Sequence, residues 1–126
     1  MSVTHSTAAR NAAADAVVDL LDAGTPPGDL VFLTSGDATV CTIELETTAF
    51  GAASNGVATM AQGSGKTSDG ATAGTIAKAE FRNAAGTAVI FCAVGTSGSD
   101  INIPGGLTLA NDDTVTITSL TYTAPV

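Results

Sequence analysis

Gly74-Thr75-Ile76-Ala77-Lys78-Ala79-Glu80-Phe81-Arg82 and Thr87-Ala88-Val89-Ile90-Phe91-Cys92-Ala93-Val94, joined by Asn83-Ala84-Ala85-Gly86, decide the fold. In the first run Ala77, Ala79 and Phe81 alternate with Lys78, Glu80 and Arg82, the two-residue period of a strand with one wet and one buried face. The joining tetrapeptide is a turn, so the two runs form a β-hairpin. From Val89 to Val94 the second run is apolar on both faces, which predicts a central strand covered on each side. The N-terminal helix described below is the available cover.

Working outward, short runs rich in Val, Ile, Thr and Phe recur at intervals of about ten residues between Gly, Asn, Asp and Ser clusters, the rhythm of a sandwich or small barrel. Leu30 to Thr34 is a strand, and Val40 to Thr47 sets Cys41, Ile43 and Leu45 against Thr42, Glu44 and Glu46. Gly56 to Ala61 is another, entered through the Asn55-Gly56 turn signal. Ile101 to Ile103 and Leu107 to Leu109 flank Pro104-Gly105-Gly106. Thr114 to Thr123 shifts phase between Val115, Ile117 and Leu120, Tyr122, which predicts a bulge near Thr118-Ser119. Gln62 to Thr72 reads as a long flexible loop.

Ahead of the strands, Ala9, Ala13, Val17, Leu20 and Leu21 recur at steps of three to four, one face of a helix. Ser6 or Thr7 caps its start, and Gly24 with Pro26-Pro27-Gly28 stops it near Ala23. Asp15, Asp19 and Asp22 form its opposite, solvated face, with Asp22 against the negative end of the helix dipole. The expected architecture is mainly β: an antiparallel β-sandwich or small barrel with one N-terminal α-helix over about residues 7–23. Residues 1–6 form a flexible arm and 7–126 a single β-rich domain.

Composition narrows the function. Ala (23), Thr (20) and Gly (14) fill close to half of the 126 positions, so few large side chains are left to build a core. Such a chain gains stability from neighbours. The formal net charge is −8, and Arg10, Lys66, Lys78 and Arg82 are scattered, which disfavours nucleic acid and anionic membranes as partners. Asp15, Asp19 and Asp22 interrupt the apolar stretch from Ala12 to Ala23, so no signal or membrane segment is read and folding in a cytoplasm is expected. Cys41 and Cys92 lie in apolar alternating runs, where a cysteine behaves as a small buried hydrophobe. A disulfide between them would need an oxidising compartment that nothing else in the sequence supports. Zinc wants about four Cys or His ligands, and the chain holds Cys41, Cys92 and His5 alone.

The motifs that suggest chemistry fail on their context. Gly63-Ser64-Gly65-Lys66-Thr67 resembles the end of a phosphate-binding loop, but Met60 stands where the first glycine belongs and no helix former follows. His5 lies in the arm, without the fixed geometry a general base requires. Glu44 and Glu46 share a solvated strand face without a cleft. Asp112-Asp113 with Asp100 lacks a spaced calcium loop and reads as turn chemistry. Glycan platforms are missing too, because there is no Trp, Tyr122 stands alone, and Phe32, Phe50, Phe81 and Phe91 occupy core positions. No catalytic, cofactor-binding or metal-ligating residue is assigned.

Three stretches carry a family likeness: Ala14-Asp15-Ala16-Val17-Val18-Asp19-Leu20-Leu21-Asp22-Ala23-Gly24, Ala49-Phe50-Gly51-Ala52-Ala53-Ser54-Asn55-Gly56-Val57-Ala58 and Gly95-Thr96-Ser97-Gly98-Ser99-Asp100-Ile101-Asn102-Ile103. The chain resembles the head decoration, or cement, proteins of tailed bacteriophages. That resemblance implies a virion structural protein on the capsid exterior, assembled in the host cytoplasm. It would bind the major capsid protein and itself, as a dimer or trimer, and strengthen the shell. Thr4, His5 and Arg10 are the expected capsid contacts, in an arm that orders on binding. Cys41 and Cys92 have no role in the likeness. The alternatives are another virion component, of the tail or neck, or a small adhesion module for glycans.

Overall fold

The computed structural model describes residues 3–24, 27–61, 66–117 and 120–124. It is a mainly β protein with one N-terminal helix, built on a five-stranded sheet that curls into a half-barrel. Helix α1 spans Thr7–Asp19 and tightens into a 3-10 turn at Leu20–Asp22. Ser6 caps it by accepting the Ala9 N–H on its hydroxyl at 3.2 Å. Gly24, at φ +91°, supplies the left-handed turn away from it.

The main sheet runs β2-β1-β6-β7-β8, formed by β1 (Asp29–Leu33), β2 (Thr39–Glu44), β6 (Lys78–Arg82), β7 (Ala88–Gly95) and β8 (Ile101–Asn102). Its pairs are antiparallel except β7–β8, which is parallel and joins Val94 to Ile101 and Gly95 to Asn102. The hairpin that opened the reading is β6–β7, with Phe81 opposite Ile90 and Ala79 opposite Cys92. Three two-stranded ribbons complete the fold. β3 (Val57–Thr59) pairs with β11 (Thr121–Thr123), β4 (Lys66–Thr67) with β10 (Thr116–Ile117), and β5 (Gly74–Thr75) with β9 (Thr108–Leu109).

The core lies inside the half-barrel, where Leu30, Phe32, Ile43, Leu45, Met60, Ile76 and Phe81 are buried with Val18 and Leu21 of the helical segment. Phe50 and Phe81 meet edge to face, with ring centroids 5.7 Å apart. Cys41, Phe32, Ala79 and Cys92 occupy one row across four adjacent strands. The two cysteines are therefore three strand spacings apart, about 14 Å, and both are free thiols.

Several expectations need correction. Gly74 to Arg82 is two strands, because Ile76 turns inward and bonds Leu107 while Ala77, which is exposed, bonds Leu33 and enters the main sheet. The apolar alternation slips by one residue there. Within the expected 62–72 loop, Lys66 and Thr67 form a strand, and residues 68–72, which form no regular element, are held against β2. Lys66 and Thr67 pair with β10, and the Asp69 and Thr72 N–H groups donate to Thr42 and Val40 of β2. The Gly63–Gly65 part of the phosphate-loop look-alike and the bulge at Thr118-Ser119 lie outside the described residues.

The helix buries Ala14, Val18 and Leu21, while Ala9, Ala13 and Leu20 face solvent. Its inner stripe is rotated because Asn11, Asp15 and Asp22 turn toward the β3 side to make hydrogen bonds. Helix α1 therefore packs on β3 and β11, and β7 lays one face, with Ile90, Cys92 and Val94, against the core while Phe91 on its other face is exposed. Phe91, expected in the core, is 72% exposed.

Candidate functional site

Two features stand out once the elements are in place: a helix tethered to a hairpin, and an uncovered strand edge. Asn11, Asp15 and Asp22 fall at steps of four and seven, one line along a helix surface. Asn11 Oδ1 accepts the Gly56 N–H at 2.7 Å, Asp15 Oδ1 the Ala53 N–H at 2.8 Å, and Asp22 Oδ1 the Ala49 N–H at 2.9 Å. These three side chains thus satisfy the main chain of the 49–56 segment, which would otherwise hold unpaired donors. Of the three helix aspartates only Asp19 is exposed, as a solvated face requires, and Asp15 and Asp22 are half-buried. The signal for the tethers was present in the spacing.

Arg10 lies at the same junction. Its guanidinium sits where a Gly56 Cβ would be, at 2.8 Å from that position, and Nη2 donates to the Ala124 carbonyl at 3.5 Å. The Ala124 N–H in turn donates to the Gly56 carbonyl at 2.8 Å. Arg10 is thereby half-buried between the helix, the hairpin turn and the last strand, and its Nε is buried without a hydrogen-bond partner. Thr4 and His5 thus stand in exposed positions ahead of the helix, and Arg10 in its first turns, half-buried.

The second feature is β7. Its partner on one side is β6, but on the other β8 reaches only Val94 and Gly95. The Ala93 N–H is met by Asp100 Oδ2 at 2.9 Å. From Ala88 to Cys92 the outer edge has no strand partner among the described residues. The opposite edge of the sheet is different, since β2 is covered by the 69–72 segment. Natural proteins protect such edges with charge, proline or bulges; the Ala88–Gly95 strand carries neither charge nor proline, and its one irregularity is a register shift against β6 at Val89, near its start. Beside it lies a depression of about 350 Å³ lined by Phe50, Ile90, Phe91, Cys92 and Tyr122. It shares Asp100, Ile101 and Leu120 with a second groove of about 530 Å³ under the 101–106 segment.

Elsewhere the polar groups are committed to structure. Lys66 pairs with Glu46 at 2.6 Å, Lys78 with Asp37, and Arg82 with Glu80. Asp113 Oδ2 closes its own turn on the Ala110 N–H at 2.8 Å, and Asp112 is left-handed at φ +69°. Among the described residues no three His, Cys, Asp or Glu side chains converge. Burial, with Asp100 nearby, pushes the Cys92 thiol up to about 11, and burial raises Cys41 against the Ser68 hydrogen bond. Both thiols stay protonated at neutral pH and are poor nucleophiles.

No protein-family model matches the chain, and no curated protein and no solved structure is significantly similar to it.

Proposed function

We propose that this chain is a virion structural protein that decorates the outer surface of a tailed-phage capsid, binding the major capsid protein lattice as a homo-oligomer and stabilising the shell. The observation that carries the reading is the β7 edge. A small β domain that commits many of its charged groups to turns, tethers and ion pairs nevertheless leaves the outer edge of its longest strand without a strand partner from Ala88 to Cys92 among the described residues, with Phe91, its largest exposed apolar side chain, on that strand. A protein that works by contact rather than by turnover has that kind of surface. The resemblance in the helix, the 49–58 segment and the 95–103 segment points the same way.

A second copy of the chain is the occupant that fits the edge. Two molecules of net charge −8 repel, and an uncharged strand laid antiparallel on its own mate is where they meet without a like-charge pair. Such pairing is isologous and yields a dimer. A stable contact takes about 800 Å² from each partner, about one eighth of the 6562 Å² surface, and the β7 edge adjoins two grooves of mixed polar and apolar lining that extend the surface on which to build it. The arm with Thr4 and His5 is left to reach the capsid protein.

The purified chain should bind expanded, stripped heads saturably and raise their melting temperature, as any ligand of the assembled state does. Absence of binding at saturating concentration would refute the reading.

A further inference from the structure

Asn55 and Gly56 form the tip of the hairpin leading into β3. Both are left-handed, at φ +53° and +77°, and Ser54 and Val57 exchange both of their backbone hydrogen bonds across them, so this is a two-residue turn. Asn-Gly is also the dipeptide in which the main chain most readily attacks a side chain. Glycine has no Cβ to hinder its nitrogen, and the asparagine carboxamide one residue back is within reach. Asn55 is exposed, whereas Gly56 is buried under Arg10. The nitrogen that would attack carries its proton into a 2.7 Å hydrogen bond to Asn11 Oδ1, across 45 residues of chain.

We propose that Asn55 is a latent site of covalent modification, locked by the Asn11 carboxamide on the Gly56 N–H. When the contact opens, the Gly56 nitrogen loses its proton to solvent base and adds to Asn55 Cγ. A C–N bond forms and the side-chain nitrogen leaves as ammonia, giving a cyclic imide. Water then opens the ring at either carbonyl to give an aspartyl or an iso-aspartyl residue, and nothing is oxidised or reduced. The iso-aspartyl product lengthens the main chain by one methylene, so the Ser54–Val57 turn no longer closes in register. Opening of the helix from the hairpin is thereby converted into an irreversible change that adds negative charge at the Arg10 junction.

The test is peptide mapping by mass spectrometry after incubation of the full chain at alkaline pH. Folded wild type should convert at Asn55 at least about tenfold more slowly than the urea-unfolded chain. Asn11→Ala should accelerate Asn55 by about threefold to tenfold, and Asn11→Asp, which keeps an oxygen acceptor, should restore the slow rate. Asn83 serves as an internal control for global unfolding, because its carboxamide is held within its own turn by Ala85 and Thr87. Asp15→Ala frees the Ala53 N–H on the same segment and should leave the Asn55 rate within about twofold of wild type. Equal rates in folded and unfolded wild type would overturn the proposal. So would Asp15→Ala matching Asn11→Ala, which would place the lock in helix docking as a whole. If Asn11→Ala unfolds, accelerating Asn83 as well, folded against unfolded wild type and the rate of Asn11→Asp against wild type decide the matter.

Discussion

Asp22, the last residue of the helical segment, accepts the Ala49 N–H on its carboxylate at 2.9 Å. Beside the negative end of the helix dipole a carboxylate is mildly unfavourable, so its position reflects what it holds. Ala49 is buried, and without Asp22 its N–H would have no acceptor. Asp22→Ala should therefore destabilise the protein by about 1.5–3 kcal/mol in urea unfolding, whereas Asp19→Ala, on the exposed face, should stay within about 0.5 kcal/mol. Equal effects would remove the tether from the account.

Phe50 and Phe81 join the tethered segment to the main sheet. Either truncation to Ala should cost about 3–5 kcal/mol through lost burial and a cavity. A double-mutant cycle should return about 0.5–1.5 kcal/mol of coupling for the edge-to-face pair at 5.7 Å. Coupling near zero would mean that the rings share a core without interacting directly.

Asp29 supplies a pH dependence. Burial raises its carboxyl above the ordinary 3.8, Glu44 adds to the rise, Arg82 opposes it, and Asp69 adds a further small push. The folded state therefore holds this proton more tightly than the unfolded chain does, and the group's contribution to stability falls as pH rises from 3.8 through the raised value. Asp29→Asn should melt at a higher temperature than wild type at neutral pH, with the advantage gone below 3.8. An advantage that persists unchanged in acid would assign the effect to something other than this charge.

Phe91→Lys tests the strand edge. With 72% of the side chain exposed, the substitution should change folding stability by no more than about 0.5 kcal/mol yet convert the proposed dimer to a monomer in sedimentation equilibrium. Leu20→Lys, at a 54% exposed position of the helical segment, should leave the proposed dimer intact. An oligomer that survives Phe91→Lys would move the interface elsewhere.

The parts of this fold that the sequence made legible are those where local chemistry leaves one solution. The β6–β7 hairpin follows from alternation over Lys78–Arg82, a turn, and an apolar run behind it, and Gly24 and Asn55-Gly56 mark left-handed backbone that few other residues adopt. What was not legible depends on partners distant in sequence. Alternation from Gly74 to Arg82 does not reveal that Ile76 and Ala77 bond to different sheets. An apolar run such as Val89 to Val94 reads as central whether a cover exists or not. Here the helix buries only Ala14, Val18 and Leu21, and the tethers direct those onto β3 and β11, so Phe91 is left in solvent. The half-burial of Arg10 was not legible either, because it is the bare Cα of Gly56, distant in sequence, that makes room for the guanidinium.

The most direct measurement is a cryo-microscopy reconstruction of the particle that carries this protein. The account predicts the five-stranded half-barrel and its helix in many symmetry-related copies on the outer face of the capsid lattice. Density for the chain confined to the tail or neck, or missing from the particle, would contradict it.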